Sequence, residues 1–224
     1  MIENLPPLIS LVFALTTLLT ILLFYRATKQ SKPAWIILIV WIGLQAVVGL
    51  SGFYLVEDTV PPRVALLAGP AMICIVALFI TAKGRDFLDS LDLKTLTGLH
   101  TVRIPVELVL FWLYQNGAVP QVMTFAGRNF DILAGITAPI AVYLGFRGAA
   151  PKKTFLVAWN ILCLLLLFNI VSTAILSAPT PLQQFGFDHP NVAILYFPFV
   201  WLPCCVVPLV LLSHLAALRQ LLKK

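Results

Sequence analysis

A histidine, an arginine and a glutamate stand at His100, Arg103 and Glu107, three and four residues apart, inside a run that is otherwise apolar. That spacing sets all three on one face of a helix. Ionisable groups in hydrocarbon cost from about 2.5 kcal/mol upward, so each needs a partner or a task. The same stripe continues through Phe111 and Tyr114. From His100 to Glu107 is about 10 Å along a helix axis, which places Glu107 within an apolar layer rather than at its edge. The chemistry on offer is proton or cation binding at Glu107, or general acid–base work, with Arg103 beside it. The alternative is a self-neutralising Arg103–Glu107 pair that only pins the helix. Pro105, between the two, bends the helix and frees a carbonyl.

Two further clusters carry polar chemistry. In Thr124-Phe-Ala-Gly-Arg-Asn-Phe-Asp131, Arg128 and Asp131 are three apart and can pair on a helix. Thr124 or Asn129 suits a helix cap, and Asp131 suits the positive end of the helix dipole. Such an approach to a helix also suits an anionic ligand group. In Phe185-Gly-Phe-Asp-His-Pro-Asn191, Asp188 and His189 are adjacent. With Gln115 and Asn116 they form one polar vestibule, or else a plain exposed turn. Gln45, Asn160, Asn169, Ser172 and Thr173 are isolated and read as hydrogen-bonding glue between helices. His214 reads as a cation near the end of the last helix, where the dipole favours it.

The elements that must hold these residues are long and greasy. The 224 residues are 60% hydrophobic and only 11% charged, less than half the share of about 25% in soluble domains. Most of the surface must therefore face lipid. About 20 apolar residues cross a bilayer as a helix. Seven runs qualify: 7–25, 34–56, 64–82, 99–118, 130–146, 154–176 and 192–218. The expectation is an all-α integral membrane protein, a single polytopic domain over 1–224 that forms a compact bundle of about seven transmembrane helices. No basic stretch precedes the first run, so that run is expected to stay as a helix. Residues 84–96 place Phe87, Leu88 and Leu91 on one side and Asp86, Asp89 and Lys94 elsewhere, which suggests a short interfacial helix between spans three and four. Pro198, Pro203 and Pro208 predict an irregular last span.

Charge sets the orientation. Thirteen of the fifteen Lys and Arg residues fall on one side of this arrangement, and only Arg63 and Arg128 on the other. The basic side is cytoplasmic, the N-terminus outside and the C-terminus inside. The expected location is a multi-pass position in a membrane, the prokaryotic inner membrane. The net charge of +6 is thus a topology signal and not a nucleic-acid signal.

Cys74, Cys163, Cys204 and Cys205 all lie in apolar runs without a C-x-x-C pair and read as packing residues, with no metal site. The last span has no lysine for a retinal Schiff base, and no P-loop, H-E-x-x-H or G-x-S-x-G occurs. No cofactor is specified. The partners implied are the bilayer, a small-molecule or ion ligand, and a membrane-protein partner or second copy. The leading functional expectation is a transporter or permease of a small solute or ion. The alternatives are a non-enzymatic sensor or assembly subunit, and an intramembrane enzyme acting on a lipid-like substrate. The candidate ligand- or ion-binding residues are His100, Arg103, Glu107, Tyr114, Gln115, Arg128, Asn129, Asp131, Asp188 and His189.

Overall fold

The computed structural model describes residues 2, 4–56 and 63–223. The expected outer turn with Pro61-Pro62, and the basic Lys224, lie outside the described residues. Among those described the chain is helical and contains no strand.

Among the described residues nine α-helices form the frame: α1 (Pro7–Ala27), α2 (Lys32–Leu50), α3 (Ala65–Ile80), α4 (Ala82–Ser90), α5 (Leu93–Leu99), α6 (Arg103–Gln115), α7 (Ile132–Gly145), α8 (Lys153–Ser177) and α9 (Val207–Leu222). Apolar side chains surround α2 and α8 on all sides, and much of that surface is exposed: Ile37, Val40 and Val47 on α2, and Leu162, Leu165 and Phe168 on α8. A helix greasy all round belongs in a hydrophobic medium. Among the described residues five stretches are long and apolar enough to cross a membrane, with α5–α6 taken together over Leu93–Gln115 and α9 extended back to Leu202. The number is six if α3 and α4 count as one bent span.

Prolines decide where the helices break. Pro105 has no N–H to give the carbonyl of Thr101. The chain tightens there into a 3-10 turn over His100–Val102, which divides α5 from α6. In the last span Pro198, Pro203 and Pro208 each remove one helical hydrogen bond. Residues 192–201 accordingly form turns rather than the expected helix, followed by a π turn over Leu202–Val206 and then α9. The regular helix here, α9, therefore starts at Val207, fifteen residues later than 192. The freed carbonyl of Cys204 is taken by the Trp41 indole N–H at 2.8 Å. In return Trp201 donates to the carbonyl of Ile42 at 2.9 Å. Two indoles thus stitch α2 to the proline-broken segment.

The segment 84–96 also differs from one interfacial helix. It divides between α4, which bends away from α3 by 94°, and α5, which belongs to the next span. Gly84 sits in the corner, where a Cβ would lie 2.4 Å from the Leu78 carbonyl oxygen. Thr81 Oγ1 accepts from the Gly84 N–H, and Arg85 donates to the Ile80 carbonyl at the end of α3. Asp92 accepts from the Thr95 N–H and so caps α5. The C-terminal turns of α9 hold α4 in place: Arg219 and Lys223 grip Asp89, and Gln220 donates to the carbonyls of Leu88 and Leu91.

Loop contacts close the two ends of the bundle. At one end Asp92 donates to Ala27, and Lys152 to Gly145. At the other Ala193 donates to Ala118, and Asn191 to Ser177. Helix α7 has only 14 residues, about 21 Å, and the irregular stretch 120–131 precedes it. Met123, Thr124 and Asn129 of this stretch are fully buried. Non-helical backbone at depth is tolerated only against protein or a polar cavity.

Candidate functional site

Arg103 begins α6, ten residues into the α5–α6 span, which is about 15 Å from its start. Its side chain is buried and forms a bidentate pair with Asp131, the residue just ahead of α7. The Nε–Oδ2 distance is 2.5 Å. Its remaining donors reach the Cys163 carbonyl of α8 and the ring of His214 in α9. One guanidinium therefore ties α6, α7, α8 and α9 together. Such a planar fork suits a carboxylate in a way that lysine does not.

Hydrogen-bond roles around His214 fix its tautomer. The Asn160 amide nitrogen donates to the Leu156 carbonyl at 2.8 Å. Its oxygen is left to accept from His214 Nδ1–H, also at 2.8 Å. Arginine only donates. His214 Nε2 must then be the bare lone pair that accepts from Arg103 Nη1 at 3.1 Å. The ring is neutral and held at both nitrogens.

His100 lies against that ring, with centroids 3.7 Å apart and planes 16° from parallel. Trp159 of α8 meets His100 edge-on at 5.5 Å. His100 is wholly buried, yet neither of its nitrogens has a hydrogen-bond partner among the described residues.

Glu107, one turn beyond Arg103, is also buried. It does not pair with Arg103 in this structure; it accepts from the Asn129 side-chain amide at 2.6 Å. Asn129 also donates to the Met123 carbonyl, and its oxygen accepts from the Asp131 N–H at 2.9 Å. Asn129 thus fastens the irregular lead-in of α7 to Glu107. Thr124 closes the local turn instead, accepting from the Ala126 N–H.

The structure corrects two sequence expectations. Arg128 and Asp131 do not pair, because residues 124–131 are not helical and the three-residue spacing loses its meaning there. Arg128 is exposed, with its guanidinium 6.0 Å over the Phe185 ring. His214 is no surface cation at a helix end; it is fully buried in the centre of the cluster.

The other candidates sit apart from this core. Tyr114 is half-buried, and Gln115, Asp188 and His189 are exposed. His189 packs close to Gly117, so the loop before the last span does approach the end of α6. Sequence reasoning missed His214 and Asn160 as members of the cluster. A usable signal existed: His214 is flanked by Leu211, Leu215 and Ala217, an apolar setting unlike a helix end facing water.

No group of three or more His, Cys, Asp or Glu side chains converges as a metal site among the described residues. The void beside α6, lined by Phe13, Val106, Leu110 and Phe199 among others, measures about 10 Å³ and is apolar. That is room for about one water molecule.

The fold and its centre define a bundle of apolar helices wrapped round a buried cluster of charged and imidazole side chains. Residues 60–222 match a family described as a domain of unknown function (DUF8737), and the chain belongs to that family. No curated protein and no solved structure matches the chain.

Proposed function

We propose that this chain is a small membrane transporter or permease that moves an ion or small solute. The observation that carries the reading is the Arg103–Asp131 pair with Glu107 and Asn129, buried at mid-span where α7 begins. Transporters place their sites where a helix is broken near the bilayer midplane, so that helix ends and unwound backbone face the site. Here α7 starts at the site, the α5–α6 span breaks at His100–Val102, and the last span is irregular over 192–206.

In this reading the chain passes the membrane seven times, with α5–α6 as the fourth passage and α4 lying along the interface. The fifth passage is α7 with its lead-in, and the seventh is α9 with the turns before it. The N-terminus is outside and the C-terminus in the cytoplasm of a prokaryotic cell, in keeping with the distribution of Lys and Arg. The exposed leucines and isoleucines of α1, α2 and α8 support a lipid-facing surface.

The test is flux into liposomes holding the purified chain, under imposed gradients of pH and of candidate ions. Glu107→Gln should reduce the flux at least tenfold. Wild-type flux in that variant would contradict the assignment.

A second reading has one observation in its favour. The void beside α6 is apolar and no larger than a water molecule. That suits a sensor or assembly subunit without turnover. Purification as a stoichiometric complex with another membrane protein, together with absence of flux, would select it.

A further inference from the structure

We propose that the ion handled at this site is a proton, and that His100 accepts it on one side of the Arg103–Asp131 pair while Glu107 accepts it on the other. This rests on the transport reading and names the ion.

His100, Arg103 and Glu107 occupy successive turns of one span, with the arginine in the middle. Arg103 has no lone pair to offer, and Asp131 already receives two of its N–H groups. His214 has its two nitrogens engaged by Asn160 and Arg103. A proton can join His214 only by displacing the arginine. His100 differs, since both its nitrogens are buried and free. A neutral imidazole carries one bare lone pair, and nothing in the structure fills it. A side chain kept only for packing would do as well as phenylalanine in the same stack, and phenylalanine would leave no polar atom unmatched.

The elements around His100 bring one cation and one carboxylate. Helix α6 brings Arg103 with Asp131, just ahead of α7, bound to it; α8 brings Trp159 and, on Arg103, the Cys163 carbonyl; and α9 brings His214. The buried face of α1 offers apolar side chains and threonines. With both carboxyls ionised, one arginine faces two carboxylates, so the cluster is one positive charge short of neutral. A single proton supplies that charge.

The step balances simply. A proton from water forms an N–H bond with the lone pair of His100, and the ring becomes imidazolium. On release the N–H bond breaks and the lone pair is restored, while the proton forms an O–H bond with the Glu107 carboxylate, which returns it to water on the other side. No electrons are exchanged. The Arg103–Asp131 pair, which lies between His100 and Glu107 along the span, then acts as a barrier to be opened, which prevents a continuous leak.

The test is proton flux in liposomes holding the full chain, read by an internal pH dye with potassium and valinomycin clamping the voltage. His100→Phe keeps a ring in the stack and removes the nitrogens. It should lower proton flux about 100-fold or more, the usual scale for losing a proton-transfer group, while its melting temperature in detergent stays near wild type. Nitrogen NMR of histidine-labelled wild-type chain should show His214 as a single Nδ1–H tautomer with His100 exchanging protons with water. Wild-type proton flux in His100→Phe overturns the proposal. So does a wild-type chain that passes sodium but no protons, although the transport reading then survives. Absence of flux for any ion overturns both.

Discussion

Arg103 at the start of α6 holds Asp131 at the start of α7 through two hydrogen bonds, although 28 residues separate them. Both side chains are almost completely buried. Removing one partner of such a pair strands a charge in a medium that cannot solvate it.

Arg103→Met and Asp131→Leu should therefore each destabilise the chain by about 3–5 kcal/mol. The double variant should lose much less than the two losses added, because no charge is stranded. Thermal unfolding in detergent over this double-mutant cycle checks it. Strict additivity would mean that the pair is not coupled.

Asn129 serves three partners at once, namely Glu107, the Met123 carbonyl and the Asp131 N–H. Asn129→Leu should cost about 1–3 kcal/mol for the polar groups left unmatched. Hydrogen exchange should rise first at residues 123–131. An unchanged exchange pattern would show that Asn129 does not hold this stretch.

Glycines give a contrast that needs no functional assay. A Cβ at Gly135 would lie 2.8 Å from Ile104 Cγ1 and 2.9 Å from its backbone nitrogen, while a Cβ at Gly43 or Gly69 meets nothing within 4 Å. Gly135→Ala should cost about 1–3 kcal/mol through overpacking of α7 on α6. Gly43→Ala should be neutral or stabilise by up to about 1 kcal/mol, through helix propensity. Melting temperatures of the two variants decide the matter.

The clasp between α4 and α9 has a defined pH dependence. Hydrogen bonds from Arg219, and then from Lys223, hold the Asp89 carboxyl at about 2, below its ordinary value. A depressed carboxyl contributes stability in full above its unfolded-state value near 4, and loses it as pH falls toward 2. Protease resistance of the last turns of α9 should thus be flat from neutral pH to about 5 and fall below 4. Asp89→Asn should abolish that dependence and raise cleavage at neutral pH. Cleavage that rises between pH 7 and 5 would point to another group.

His189 lies exposed on the loop before the last span, away from the buried cluster. His189→Asn should leave both flux and stability unchanged, measured alongside the variants above. A large loss would move the site outward toward the vestibule of Gln115, Asn116 and Asp188.

The helical frame was legible because hydrophobic length and proline position act locally. Pro105 announced a break, and the three prolines after residue 197 announced an irregular last span. Spacing also placed His100, Arg103 and Glu107 on one face. Pairing across the bundle was not legible, because it depends on which turns meet in space. Asp131 looked closer to Arg128 than to Arg103, and only the unwound backbone of residues 124–131 turns the one outward and the other inward. His214 looked like a dipole partner because helix-end rules take no account of a neighbouring helix that covers the site.

The proposal that the buried charge site carries ions is tested most directly by the current or pH change driven across liposomes by wild type and by Glu107→Gln, at equal protein and verified orientation. Ion movement by wild type, reduced at least tenfold in the variant while the fold is kept, is the expected result. Equal movement by both proteins, or none by either, would contradict it.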